Sequence, residues 1–179
     1  MNYSRSDNIA SQELLTLFTD TFTAAANAEE GQIVGQLSVD LLETTAKDKL
    51  AVYVARDDNG ELAGAIIMSE LEFNLPLQAW LLSPAAVRTE NQKQGIGQSL
   101  IRFALSDLSA RGIEWVVTYG DPAFYGKVGF APLSTEQLPA PHPLSMPQGW
   151  IGQSLNGQPL PTGLTKASCV SALDNPAIW

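Results

Sequence analysis

Two short segments carry residues of the types and spacing that handle an anionic ligand and a proton. The first is Val87 to Leu100. An apolar run ends, the polar loop Arg88-Thr89-Glu90-Asn91-Gln92-Lys93-Gln94 follows, and Gly95-Ile96-Gly97 opens an amphipathic stretch. The first turn of a helix has backbone N–H groups without intrahelical partners and a partial positive charge. It holds phosphate where side chains leave the approach open. Glycines at 95 and 97 leave it open, and Lys93 adds a positive charge. No Gly-Lys-Ser/Thr follows, so this is not a mononucleotide P-loop. Gly95-Ile96-Gly97-Gln98-Ser99-Leu100 also lacks the third glycine of a dinucleotide fingerprint. By itself the segment reads equally as a tight helix entry.

The second segment is Gly120-Asp121-Pro122-Ala123-Phe124-Tyr125-Gly126-Lys127-Val128-Gly129-Phe130. Asp121 is a good N-cap and Pro122 a good first helical residue, which places Tyr125 on a short helix after a strand. A phenol has a reference pKa of about 10, so Tyr125 keeps its proton at neutral pH and can donate a hydrogen bond to a ligand, or it is a packed tyrosine whose hydroxyl caps a backbone group. Tyr119 is the rival phenol.

The elements that must position these residues follow from periodicity. Helices are expected over 8–26 and about 30–44, strands over 50–56, 62–73 and 77–87, and a helix from Gly95 to Arg111. Its buried face is Ile96, Leu100, Ile101, Ala104, Leu105 and Leu108. A strand over 114–119 and the short helix to Val128 complete the series. Nine of the eleven prolines lie at or beyond Pro122, so 139–161 reads as loop and extended chain. A last strand is expected over 167–173. The order implies a mixed-sheet α/β (α+β) domain over 1–133, with a proline-rich extension over 134–179 packed on it and ending in a strand. Neighbouring strands would then point the phosphate cradle and the phenol to one end of the sheet, where open sheets bind ligands.

The chain has 179 residues, 45% apolar and 16% charged, with a net charge of −9. No basic patch exists, which argues against nucleic acid. No apolar run approaches the length of a membrane span. The start lacks the apolar core of a signal peptide and Cys169 is alone, so a soluble cytoplasmic protein is expected. All the net negative charge lies in residues 1–73, which hold thirteen acids and four bases.

Gln92-Lys93-Gln94-Gly95-Ile96-Gly97 resembles the Gln/Arg-x-x-Gly-x-Gly/Ala motif of the GNAT (GCN5-related) N-acetyltransferases. Tyr125-Gly126-Lys127-Val128-Gly129-Phe130 resembles the family's Tyr-x-x-x-Gly-Phe signature, and Ser83-Pro84-Ala85-Ala86-Val87 its fourth strand. The preceding Gly-Asp-Pro is similar to that of a bacterial subgroup. The resemblance covers about 1–133 and is strongest over 80–130. It implies a mostly antiparallel sheet with splayed central strands flanked by helices, and acetyl transfer from acetyl-CoA to an amine without a metal. It also implies that the CoA pyrophosphate sits on Gln92, Lys93, Gln94, Gly95, Ile96 and Gly97 and the helix turn of Gln98 and Ser99. The pantetheine would pair with Ala85, Ala86 and Val87, and Tyr125 would protonate the thiolate. Pro84 suits the gap between strands.

The family's usual base, a glutamate on the fourth strand, is missing, because residues 77–83 contain no carboxylate. Glu70 and Glu72 are the nearest alternatives by strand order, a water chain is another, and Asp40 and Glu43 rank below. His142 reads as a loop residue and Cys169 as a buried strand cysteine. Trp150 and Trp179 read as pins for the tail. The acceptor is a small-molecule or peptide amine, and the acidic first part favours a cationic one. A catalytically silent CoA-binding module of the same fold is the alternative. The sequence sets no oligomeric state, with a homodimer as one option.

Overall fold

The computed structural model describes residues 1–179. The elements in chain order are β1 (Asn2–Arg5), α1 (Ser11–Ala25), α2 (Ala28–Thr44), β2 (Leu50–Arg56), β3 (Leu62–Phe73), β4 (Ala79–Val87), α3 (Ile96–Ala110), β5 (Trp115–Tyr119), α4 (Pro122–Tyr125), β6 (Ala131–Pro132), β7 (Trp150–Ser154) and β8 (Ala167–Ser168). The strands form one mixed, mostly antiparallel sheet in the order β1-β2-β3-β4-β5-β7-β6, with β8 pairing the end of β3. Only β4 and β5 run parallel.

Each helix forms because its apolar spacing fits one buried stripe. In α1 the buried positions are Leu14, Leu17, Phe18 and Thr21. In α3 they are the six residues expected from the periodicity. Asn27 caps α2 by accepting from the Glu30 N–H at 2.9 Å. The sheet is covered on both faces, so its inner strands β2 to β5 are mostly apolar, while the edge strand β1 is polar. On one face α1, α2 and the tail pack over Val52, Ile67, Leu81 and Val117, with Trp150 and Trp179 in the same cluster. On the other, α3 packs over Tyr53, Ile66, Met68, Trp80 and Leu82.

Two departures from the expected elements bear on the site. The short edge strand β1 pairs with β2 over Asn2↔Arg56 to Arg5↔Tyr53. The proline-rich stretch holds β7, which lies between β5 and β6. Residues 134–179 thus supply an inner strand, while the expected final strand shrinks to Ala167–Ser168. The ladder between β4 and β5 stops at Leu82↔Thr118. Beyond it, β4 stays on β3 as far as Gly64↔Val87. β5 instead stays on β7 as far as Tyr119↔Trp150, and the Gly120 N–H donates to Gly149 at 3.0 Å. The two halves of the sheet diverge because each central strand is held by its outer neighbour.

A β-bulge sharpens the divergence. Ile66 and Met68 on β3 are two positions apart, whereas their partners Ala85 and Leu82 on β4 are three apart. The extra residue falls at Ser83-Pro84, where proline has no N–H for a ladder. It also resets the alternation of β4. Leu82 and Ala85 both pack toward α3, and Ala86 packs toward α1.

One part-buried polar network ties α3 to the sheet. Tyr53, fully buried, donates to Asp107 at 2.7 Å, and Arg111 lies 3.7 Å from Asp107 and over the Trp80 ring. Burial, and then the Asp107 carboxylate, push the Tyr53 phenol well above the usual tyrosine range. Above pH ~10 an unfolded tyrosine ionises while the folded one keeps its proton, so stability is lost as pH rises past ~10. Tyr53→Phe should cost about 1–2 kcal/mol at neutral pH in urea unfolding. It should also flatten the alkaline fall in Tm. A variant with unchanged stability and an unchanged alkaline slope would contradict this.

Candidate functional site

The gap between β4 and β5 opens into a cavity of about 490 Å³. Its walls are the end of β4, the loop to α3, the first turns of α3, the α4 segment and the last turns of α1. Of the residues expected at the site, Ala85, Ala86, Val87, Gln92, Lys93, Gly95, Ile96, Gly97, Gln98 and Tyr125 line it. Gln94 and Ser99 do not. The Gln94 side chain donates to the Glu90 carbonyl at 3.2 Å, and the Ser99 N–H closes the first helical turn on Gly95 at 3.0 Å.

The loop is built to leave the helix start bare. Gly95 takes the N-cap position with φ +79°, a left-handed conformation that glycine adopts without steric cost. No side chain caps α3, so the N–H groups of its first turn are free for a ligand. Lys93 is also left-handed, with φ +61°. Gln92 anchors the loop by donating to the Val87 carbonyl at 3.0 Å.

The backbone of β4 presents donors to the gap. In an antiparallel strand, alternate residues turn their N–H and C=O to opposite sides. The Arg88 N–H donates toward β3, to Ala63 at 2.8 Å. Val87 and Ala85 therefore direct their N–H groups away from β3, to the side that β5 has vacated.

Tyr125 stands on α4, which Asp121 caps by accepting from the Ala123 N–H at 2.8 Å. The ring is held edge-on by Phe124 (5.1 Å) and Phe130 (5.5 Å). It also lies close against Gly120, where a Cβ would come within 2.7 Å of the ring. Burial raises the pKa of its phenol, with the Thr118 hydroxyl beside it offsetting part of the rise. Thr118 is the last β5 residue paired with β4, so the phenol sits where the strands part. Tyr119 is occupied elsewhere. Its hydroxyl lies 3.0 Å from Ser145 Oγ and accepts from the Met146 N–H, fixing the tail loop.

The carboxylates considered as bases lie outside the cavity. Glu70 and Glu72 both pair with Lys49. Glu70 sits opposite Trp80, four residues along β3 from Ile66 at the cavity, roughly 13 Å away at the rise of a strand. Asp40 accepts from Gln36, and Glu43 from Ser11. No carboxylate or imidazole lines the cavity. His142 lies 2.7 Å from Asp174 and ties two tail segments together. Cys169 is half-buried just past β8, and burial pushes its thiol up to about 11. At neutral pH that thiol is no nucleophile. Trp150 and Trp179 are buried and donate to the Leu138 and Leu173 carbonyls, each at 2.9 Å. No group of three or more His, Cys, Asp or Glu side chains is placed to hold a metal ion. No helix is long and apolar enough to cross a membrane.

Thr21, Phe22 and Ala25 of α1, with Asn91, Phe124 and Lys127, also line the cavity. Their contribution was not legible in sequence. The α1 residues obey the same periodicity as core positions, and only the tertiary placement sets the last turns of that helix over the gap.

Residues 48–132, from just before β2 to the end of β6, match the family model of the acetyltransferase (GNAT) domain. The uncharacterised N-acetyltransferase YjhQ of Escherichia coli K12 is 30% identical over 139 residues, covering 74% of each chain. The fold superposes on the GNAT family N-acetyltransferase YhbS of Escherichia coli, solved in complex with CoA, with a TM-score of 0.81 at 24% identity, over 97% of this chain and 92% of that one. A GNAT acetyltransferase from Brucella melitensis, solved with acetyl-CoA, superposes with a TM-score of 0.68 at 23% identity, over 97% and 99%. A relative of this identity and coverage, the domain match and the splayed sheet agree: the chain belongs to the GNAT family of N-acetyltransferases.

Proposed function

We propose that the chain moves an acetyl group from acetyl-CoA to a primary amine by direct attack in a ternary complex. The observation that carries this reading is one cavity joining an uncapped helix N-terminus, with Lys93 beside it, to a half-buried phenol at the point where the strands part. Those residues fit CoA. The first turn of α3 and Lys93 would hold the pyrophosphate. The N–H groups of Ala85 and Val87 would pair with the pantetheine, and Val87 would polarise the thioester carbonyl. The amine nitrogen bonds to the acetyl carbon, the carbon–sulfur bond breaks, the Tyr125 phenol gives its proton to the leaving thiolate, and the proton shed by the nitrogen passes through solvent to restore the phenol.

The acceptor side is the α1 wall. Ala25 lines the cavity, and Glu29 and Glu30 follow on the exposed first turn of α2. Together with the −9 charge of residues 1–73 this supports a cationic acceptor, such as a polyamine, an aminoglycoside-like amine or a peptide amine. Calorimetric titration with acetyl-CoA tests the reading. Saturable binding of one per chain is expected, and no binding at millimolar ligand by folded protein would overturn it. The missing base is what favours a catalytically silent CoA-binding module instead. Release of free thiol with any amine of a test panel rejects that second reading.

The same absence shapes the pH dependence. Deprotonating a lysine-like amine at pH 7 takes roughly 4–5 kcal/mol. With no carboxylate or imidazole in the cavity, the neutral amine is the reactive species. The rate should then rise about tenfold per pH unit until the acceptor's own pKa. Two accepted amines differing in pKa should break at different pH values. A break at one shared pH would reveal a base in the protein.

A further inference from the structure

We propose that Lys127, on a turn held by Arg102, is a second anion anchor that reads the ribose 3′-phosphate of CoA and discriminates CoA from 3′-dephospho-CoA. The proposal rests on the acetyl-CoA reading of the cavity. The chain has 19 acidic and 10 basic side chains, so a basic group has many potential partners. Yet five bases, Lys47, Lys93, Arg102, Lys127 and Lys166, have no carboxylate within 4.0 Å. Three of the five, Lys93, Arg102 and Lys127, are exposed and converge on one place. Lys93 and Lys127 line the cavity, and Arg102 donates to the Lys127 carbonyl at 3.1 Å.

The turn that carries Lys127 is fixed from both sides. Arg102 holds the Lys127 carbonyl, and Gln153 of β7 donates to the Val128 carbonyl at 3.0 Å. Val128 is buried and Gly129 ends the turn in the left-handed region, with φ +97°. Neither tie uses the Lys127 ammonium, which stays free at the cavity wall. A rigid base under a free charge lowers the ordering cost of an ionic contact.

Position separates this point from the pyrophosphate cradle. Arg102 lies six residues beyond Ile96, about 9 Å along α3 at the helical rise. A ligand that meets both points must be anionic in two places. CoA is such a ligand. Its pyrophosphate and its 3′-phosphate are separated by one ribose, and the monoester carries about −1.5 to −2 charges at pH 7. Removing the monoester alone leaves the cradle's ligand intact, which makes the two anchors separable.

Calorimetry with CoA and 3′-dephospho-CoA, on wild type and on Lys127→Met, tests the assignment. Wild type should bind dephospho-CoA about tenfold more weakly than CoA, the size of one charge-assisted contact. Lys127→Met should lose about the same factor for CoA and stay within about twofold for dephospho-CoA, so that discrimination collapses. Arg102→Met should reduce the discrimination in the same direction, and added salt should narrow it in wild type. Equal binding of the two ligands by wild type would overturn the proposal while leaving the acetyl-CoA reading standing. Equal weakening of both ligands in Lys127→Met would overturn it too and move Lys127 to the pyrophosphate. Binding of neither ligand by folded wild type would overturn both.

Discussion

Tyr125→Phe should lower kcat by about 10²–10⁴-fold, the usual range for a positioned general acid, and leave acetyl-CoA affinity within about twofold. The substitution removes one oxygen and little else. The ring keeps its edge contacts with Phe124 and Phe130 and its bed on Gly120. Thr118 is not orphaned, because its hydroxyl donates to the Leu82 carbonyl at 2.8 Å. Burial holds the phenol above its usual value, so Tyr125 keeps the proton it donates at neutral pH. Gly120→Ala is the complementary experiment. Its Cβ would press on Tyr125 at 2.7 Å and move the ring with the phenol intact, so kcat should fall without loss of the acid. The measurement is thiol release under saturating acetyl-CoA. A Phe variant that keeps more than half of kcat would show that the thiolate leaves unassisted.

How much of this site was readable in the sequence depends on whether a residue's role is local. The bare start of α3 is a local property of Gly95 and Gly97, and the cap on α4 is a local property of Asp121 and Pro122. Those features, and the buried face of α3, emerge as expected. The partners of β4 and β5 are not local. Glu70 and Glu72 sit on the right strand, but strand order says nothing about which end of the ladder faces the cavity, and the register puts them at the wrong one. β7 has five residues set among prolines, and it is a strand only because β5 offers an edge 31 to 33 residues back in the chain, at Tyr119↔Trp150 and Thr118↔Ile151. β1 is polar, with only Tyr3 half-buried, so it has no apolar alternation to read. The tail was expected to pack on the domain and end in a strand; the register adds that its β7 keeps β5 paired as far as Tyr119, beyond the end of the β4–β5 ladder at Thr118, and so borders the gap.

The largest stability effect should come from two glycines that the helical periodicity of α2 passes over. Gly31 and Gly35 are buried on one face of α2, against α1. A Cβ at Gly31 would fall 2.0 Å from Thr23 Oγ1, 2.6 Å from the Thr19 carbonyl oxygen and 2.9 Å from the Thr23 nitrogen. At Gly35 the severe clash is with Thr19 Oγ1 at 2.1 Å, and the nearest backbone atom, the Leu15 carbonyl oxygen, is at 3.3 Å. A side chain can turn aside, whereas backbone moves only with its helix. Overpacking costs about 1–3 kcal/mol, and alanine returns up to ~1 kcal/mol through helix propensity. Gly31→Ala should therefore destabilise by about 2 kcal/mol, and Gly35→Ala by about 1 or less. The second variants decide the mechanism. Thr19→Ala should rescue Gly35→Ala fully, because it removes the clashing atom. Thr23→Ala should rescue Gly31→Ala only in part, because the Thr19 carbonyl stays. The displaced helix is the one that carries Thr21, Phe22 and Ala25 over the cavity. Gly31→Ala should therefore also raise KM for the acceptor more than it weakens acetyl-CoA binding at the far end of the cavity. Urea midpoints at constant m-value give the stabilities, and equal rescue of both glycine variants would show that side chains alone, not the helix backbones, set the spacing of α1 and α2.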